Sequence, residues 1–419
     1  MRPSELQRLQ LKQFKALLNY AYENVAFYHK KFRAAGFKPD DFNGFKDLKK
    51  VPSITKFEVQ EFDLRDVVAR NVDLGSLINR TTSGSTGVPL AILVDSSVED
   101  FESAVWLRAM FDDGFRFKDR LAVVTDPRSF PKKKNAFQRF GIVKRRYISI
   151  FDSVEKQIAS LKEFKPDVIR GYASSLSILA RGLKDFVKEF KLRLIISTAE
   201  LLDQQSKKFI SSVFGAELFD FYACSEFGLL AWECKEHNGY HVNADAVLME
   251  FVDDDGEAVA PEERGEIVCT SLYNSIMPLI RYRLEDVGIP SEDQCSCGRT
   301  LPLMRLIEGR KDDFLTTTDG RLISPTVFFP YPFENTNWIK WFRVIQESRK
   351  KLVIQVVVKE DSTVSDLILE VAMRKIHELF GEDMRLKFEF VDEIPQDNSG
   401  KLRKVISHVN GQTKICVGC

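Results

Sequence analysis

The chain has 419 residues, 44% of them hydrophobic, enough to build at least one large core and to make two domains of unequal size the natural expectation. Lysine plus arginine equals aspartate plus glutamate at 61 each, so no global field selects nucleic acid or an anionic membrane. The N-terminus lacks a secretory apolar run, no stretch is apolar enough to span a bilayer, and seven unevenly spaced cysteines do not form a disulfide framework. A cytoplasmic protein whose partners are chosen by a local site is expected.

In chain order, Leu6, Leu9, Leu17, Leu18, Ala21, Val25 and Tyr28 recur at steps of three and four, which predicts one amphipathic helix over 5–33. From about 120 to 225, short β-rich runs at 121, 167, 193 and 217 alternate with helical patterns over 154–165, 174–190 and 202–214, the signature of a layered α/β domain. Residues 240–308 turn to β-rich segments joined by turn residues. After 312 come a strand-like KLVIQVVV, a helix-like 364–380 and a strand-like RLKFEFV. The expected fold is therefore α/β plus β: a large N-terminal domain over 1–311 and a small α+β domain over 312–419.

Five segments carry chemistry. In Thr81-Thr82-Ser83-Gly84-Ser85-Thr86-Gly87, small hydroxylated residues alternate with glycines, so backbone N–H groups and hydroxyls can converge on phosphate oxygens; a flexible polar linker is the plain alternative. No Gly-Lys-Ser/Thr follows, so it is not a Walker loop. Tyr222, Ser225 and Glu226 put an aromatic face, a hydroxyl and a carboxylate at a strand end, where the ring could stack on a base or simply fill core, and the carboxylate could hold Mg2+. Asp286 can accept both hydroxyls of a ribose, and Arg310 can reach ribose or phosphate, although both could equally lie in surface ion pairs. Lys401, after the Gly400 turn, would be mobile unless docked.

These five segments, in this order, resemble the acyl-adenylate-forming superfamily of acyl-CoA synthetases, luciferases and peptide-synthetase adenylation domains. Asn24-Val25-Ala26-Phe27-Tyr28, Gly171-Tyr172-Ala173-Ser174-Ser175, Met277-Pro278-Leu279-Ile280-Arg281-Tyr282 and Cys295-Ser296-Cys297-Gly298-Arg299 look like its phenylacetate-CoA ligase branch, and most closely the CapK-like members associated with capsular polysaccharide genes. The resemblance spans nearly the whole chain. It implies that an adenylate-forming N-terminal domain binds ATP through Ser83, Gly84, Ser85, Thr86 and Gly87, stacks adenine on Tyr222, and uses Ser225 and Glu226 for phosphate and Mg2+. It further implies that Asp286 binds ribose, Arg310 ribose or phosphate, Glu200 the adenine side, Asp312 the hinge, and Lys401 the charge developing on the α-phosphate. The small domain would then rotate, bringing a second face that includes Asp319-Gly320-Arg321 to the site for transfer to CoA or to a carrier-protein phosphopantetheine arm.

Two departures stand out: Leu90 where many members have Lys, and Leu284-Glu285 in place of the common Thr-Gly before Asp286. Residues 126–147 lack the glycine-rich aromatic pattern of aryl-acid members, which leaves the small-molecule carboxylic acid unnamed; their basic clusters could meet CoA phosphates or be merely solvated. Cys234, His241, Cys295 and Cys297 fit a structural Zn2+ set, with His237 as the substitute for His241 and free core cysteines as the alternative. The tail cysteines Cys416 and Cys419 fit a prenylation box poorly. A homodimer is compatible with the chain. Other readings are an enzyme that adenylates a hydroxyl on a deazaflavin cofactor, or a catalytically degenerate ATP-binding accessory protein of polysaccharide biosynthesis.

Overall fold

The computed structural model describes residues 1–82, 90–131, 143–183, 191–310, 313–323, 338–359, 362, 364–397 and 401–409. The chain divides into two compact units, Met1–Gly114 with Phe221–Ile307, and Phe115–Asp220 with Glu308–Cys419.

In the first unit the N-terminal amphipathic pattern is two helices, Pro3–Asn24 and Ala26–Ala34, instead of one. The break is Val25, whose extended backbone (φ −121°, ψ 114°) ends one helix and starts the next. Its side chain is buried, so packing fixes a β-branched residue in the conformation that it favours, and the apolar period continues across the break. Phe14, Leu18, Ala21 and Phe32 are fully buried along the two helices. Tyr28 reaches furthest in sequence: its hydroxyl donates to the Pro278 carbonyl (2.9 Å) and accepts from the Ile280 N–H (2.8 Å).

The β-region read over 240–308 holds antiparallel strands Val247–Val252, Gly265–Ser271 and Tyr282–Ser291, followed in sheet order by Leu303–Arg310, Tyr240–Val242 and, from just before it, Gly228–Glu233. Between Gly265–Ser271 and Tyr282–Ser291 the register jumps: Glu266 faces Val287, yet Val268 faces Arg283. Residues 284–286 therefore bulge from the ladder, with Glu285 in the left-handed region at φ +63°.

In the second unit, strands Lys144–Ser149, Arg120–Thr125, Val168–Tyr172 and Leu194–Thr198 lie side by side in that order, all parallel. Parallel neighbours need crossover connections; helices Val154–Phe164 and Ala173–Leu183 lie in two of them, and Gln204–Phe214 follows the last strand. Alternate strand residues Ala122, Val124, Ile148, Ile169 and Ile195 pack on these helices through Leu161, Leu176, Leu179, Ile210 and Phe214. Capping sets the helix bounds: Asp203 accepts from the Ser206 N–H, while Lys165 and Gly215 turn left-handed after the helix ends.

The C-terminal part of this unit is a four-stranded sheet ordered Arg385–Phe390, Lys351–Val358, Ile339–Ser348, Val405–Ser407, with helix Asp366–Phe380 on it. Val344, Leu352, Ile354, Val356, Ala372, Ile376 and Phe380 form its core, and Leu201 packs against that cluster.

Candidate active site

In the first unit the Phe221–Cys224 end of strand Glu217–Cys224 turns back into Gly228–Glu233, with Cys224 opposite Gly228, so Ser225, Glu226 and Phe227 are the turn. Phe227 is buried and anchors it, whereas Ser225 and Glu226 are half-buried. Two residues before Cys224, Tyr222 donates its hydroxyl to Asp286 Oδ2 at 2.6 Å. The bulge makes this contact available by lifting Asp286 out of regular pairing. Burial pushes the Tyr222 hydroxyl well above its usual pKa, and the adjacent Asp286 charge adds to this, so Tyr222 is a neutral donor. Burial likewise raises the Cys224 and Cys269 thiols, helped by nearby acids, and makes them poor nucleophiles.

A buried network that the sequence reading missed supports this turn. Glu102 accepts from Arg80 at 2.5 Å and from the Tyr273 hydroxyl at 3.0 Å, and the same hydroxyl lies 2.9 Å from the Phe227 carbonyl. Gly228, at φ +63°, is required here, because a Cβ would come 3.0 Å from the Glu102 carboxyl carbon. Arg80 sits in strand Ile78–Thr81, and Thr82 pairs with Leu90 through Thr82 N–H to Leu90 O (3.0 Å) and Leu90 N–H to Thr82 Oγ1 (2.9 Å). These bonds close the neck of the glycine-rich segment; Ser83, Gly84, Ser85, Thr86 and Gly87 themselves lie outside the described residues, as do the Arg310 side chain and Asp312. Only the sequence separations, 22 and 171 residues, hid the Glu102 network.

In the second unit, Lys401 and Glu200 are neighbours. The Lys401 ammonium lies 5.8 Å from the centroid of the Tyr172 ring, which ends strand Val168–Tyr172. Glu200 accepts from the Ser174 N–H (2.7 Å), the Ser174 hydroxyl (2.9 Å) and the Leu402 N–H (3.2 Å). It thereby ties the first turn of helix Ala173–Leu183 to the backbone beside Lys401. Burial raises the Glu200 carboxyl above its ordinary pKa, opposed by those hydrogen bonds and by the Lys401 charge. Asp397 receives the Lys401 N–H at 3.0 Å and donates its own N–H to the Lys401 carbonyl at 2.9 Å, closing the turn that carries the lysine. Sequence reading gave Glu200 an adenine-side role; its bonds here are to Ser174 and Leu402.

Also in the first unit, the ligand atoms of Cys234, His241, Cys295 and Cys297 lie within 4.8 Å of one another. Cys234 and Cys295 sulfurs are 3.6 Å apart, and Cys297 Sγ is 3.3 Å from His241 Nε2. Three sulfurs and one imidazole nitrogen at such spacings suit tetrahedral zinc, whose Zn–S bonds are about 2.3 Å. Burial, with the Arg299 charge, lowers the His241 imidazole to about 4, which keeps it neutral as a ligand must be. His237 turns instead toward Glu233, 3.5 Å away.

The first unit thus carries a tyrosine–aspartate pair on a sheet bulge beside a strand turn, and the second a lysine held near a buried glutamate; the class of protein follows from what this α/β architecture is similar to. The CapK C-terminal domain model matches residues 315–408. Phenylacetate-coenzyme A ligase of Escherichia coli (strain K12) is 31% identical over 322 residues, 74% of this chain and 72% of that protein. Protein CapK of Staphylococcus aureus is 22% identical, over 97% of this chain and 90% of that one. The crystal structure of 2-hydroxyisobutyryl-CoA ligase in the postadenylation state, in complex with R3-HIB-AMP, superposes with a TM-score of 0.82 at 22% identity, covering 97% of this chain and 90% of that one. The chain belongs to the phenylacetate-CoA ligase family.

Proposed function

We propose that the protein activates a small carboxylic acid with ATP and then passes the acyl group to the thiol of CoA. In the first step a carboxylate oxygen bonds to the α-phosphorus, the bond to the β-phosphate oxygen breaks, and pyrophosphate leaves. In the second the CoA sulfur attacks the acyl carbon and AMP leaves. The observation that supports this most directly is the docked ammonium of Lys401: an anion must approach an anionic phosphate, and a fixed cation lowers that repulsion most where charge develops.

Asp286 accepts the ribose hydroxyls, and Tyr222, whose hydroxyl is engaged by Asp286, offers its ring face to adenine. The segment Ser83 to Gly87 cradles the phosphates, and Arg310 adds a donor fork. Mg2+, held by Glu226 and phosphate oxygens, supplies further charge neutralisation when bound. A structural Zn2+ held by Cys234, His241, Cys295 and Cys297 braces the β-region, its four positions filled by protein. Residues 312–419 act as a small mobile domain that withdraws Lys401 after adenylation. A carrier-protein phosphopantetheine arm offers the same thiol as CoA and is the second acceptor to test. Among the described residues no helix is long and apolar enough to cross a membrane, in keeping with a cytoplasmic pool of acid and CoA.

The test is a screen of acids for ATP-dependent pyrophosphate release, with mass analysis of the product formed on added CoA. An acid that releases pyrophosphate and yields its CoA thioester is the expected result. A product carrying AMP on a hydroxyl, with no thioester, would overturn the reading.

A further inference from the structure

The C-terminal segment that carries Lys401 is held by contacts concentrated on a short stretch of its own compact unit. Leu402 donates its N–H to Glu200, and Lys404 Nζ lies 2.5 Å from Asp203 Oδ2 and 3.4 Å from Ser206 Oγ. In the same unit the Arg181 guanidinium lies over two rings, 4.9 Å from the centroid of Phe209 and 4.8 Å from that of Trp341. Trp341 belongs to strand Ile339–Ser348 of the C-terminal sheet, while Arg181 and Phe209 lie on helices Ala173–Leu183 and Gln204–Phe214. Arg181 Nε is buried without a hydrogen-bond partner.

Arg181 is half-buried, and a guanidinium whose Nε is shut away from water normally finds a carboxylate, because desolvating a charge is costly. Stacking between rings compensates part of that cost without the directional bonds that would make the contact hard to undo. Such a contact suits a joint that has to open in every catalytic cycle. Its location matters as much as its chemistry: Trp341 and Lys404 join the two sides next to the turn from which Lys401 reaches Tyr172.

We infer that Arg181 is a positioning residue for acyl-adenylate formation: clamped between Phe209 and Trp341, and seconded by the Asp203–Lys404 pair, it holds the C-terminal region in the pose that keeps Lys401 over Tyr172. The contact is released before thioester formation. This inference rests on the two-step reaction proposed above. It adds which side chains set the balance between the two poses.

The experiment separates the half-reactions. In Arg181→Ala, acid-dependent ATP–pyrophosphate exchange falls about tenfold with little change in the KM for ATP, while thioester formation from preformed acyl-adenylate and CoA is unchanged or faster. Arg181→Lys, which keeps a cation between the rings, recovers part of the exchange rate. Trp341→Ala, made from the other side, reproduces the Arg181→Ala pattern, and the double variant is no worse than either single one. Amide hydrogen exchange, measured without substrate, reports the clamp itself: the 401–407 backbone exchanges faster in Arg181→Ala than in wild type. An equal fall in both half-reactions, or unaltered exchange at 401–407 in a folded variant, would overturn the clamp. If wild type activates no acid but the variant still speeds amide exchange, the proposed reaction fails and the clamp stands.

Discussion

The Tyr222–Asp286 region and the Lys401 region hold their polar groups in opposite ways. Tyr222 and Asp286 come from strands of one sheet, 64 residues apart, and their contact follows from register and one bulge. Lys401 sits on a turn closed by its own Asp397, steadied from outside by a carboxylate, an ion pair and a stacked arginine. The first arrangement is built into the strand ladder, whereas the second rests on side-chain contacts between separate elements, the contacts that the proposed movement of residues 312–419 would release. Damage to the sheet-built region should therefore be read as lost stability or binding, and damage to the docked region as lost rate.

The largest expected effect tests that division directly. Lys401→Ala slows pyrophosphate exchange by roughly 100- to 1,000-fold while ATP affinity, measured by calorimetry, changes little, because the ammonium acts mainly on charge present in the transition state. Equal losses of affinity and rate would erase the distinction. Asp286→Asn, on the sheet side, weakens ATP binding by about tenfold or more, since a charge-assisted hydrogen bond is lost and Tyr222 keeps only a neutral acceptor. A variant that binds ATP normally but turns over slowly would move Asp286 to the other category.

Cys295→Ser probes the sheet region without approaching the nucleotide. Zinc content by elemental analysis should drop well below one per chain, and the melting temperature should fall by roughly 5 to 10 °C. Unchanged melting would mean that the four side chains contribute nothing as a brace.

Acid titration separates two neighbours in the docked region. Glu200 has a raised pKa, so above its ordinary value the native protein retains a proton that the unfolded chain releases; its contribution to stability grows as pH falls from neutral through the raised value. For Asp203, burial alone would raise the pKa, but Lys404 and Ser206 bring it down to about 2. That contribution is present above the ordinary aspartate value of 3.8 and is lost as pH falls from there through about 2. Melting curves of Glu200→Gln and Asp203→Asn, subtracted from wild type across pH, should show opposite slopes in these windows. The smallest effect is at the bulge: Glu285→Gly relieves a left-handed non-glycine residue and should leave ATP binding intact, with stability unchanged or raised by up to about 1 kcal/mol in chemical denaturation.

Much of this was legible in the sequence, for physical reasons that stop at identifiable points. The alternation over 120–214 is legible where strands bury one face on helices with their own caps, as at Asp203 and Gly215, but the strand Lys144–Ser149 went unread because its Lys144-Arg145-Arg146 start looks like a solvated run, and 184–190 of the helical pattern lies outside the described residues. The amphipathic period over 5–33 survives a break at Val25, so the period alone reports one helix where there are two. Tyr222 and Asp286 stood out as candidate residues, but their mutual hydrogen bond depends on a register shift that no local pattern announces. The common glycine before Asp286 in similar sequences takes on meaning once Glu285 is seen at φ +63°. The partners of Glu200 were least visible, since two of its three donors are backbone N–H groups, one of them 202 residues away.

The Tyr28 hydroxyl, shared by Pro278 and Ile280, has a consequence for the newborn chain. At about 5–20 residues per second, the ribosome needs roughly 10 to 50 seconds to deliver the far side of this bond after Tyr28 has been made. Throughout that interval the leading helices carry a tyrosine, and the phenylalanines around it, built for a surface that does not yet exist. Residues made well before 278 are thus kept waiting for their neighbours, and the apolar face around Tyr28 stays uncovered until then.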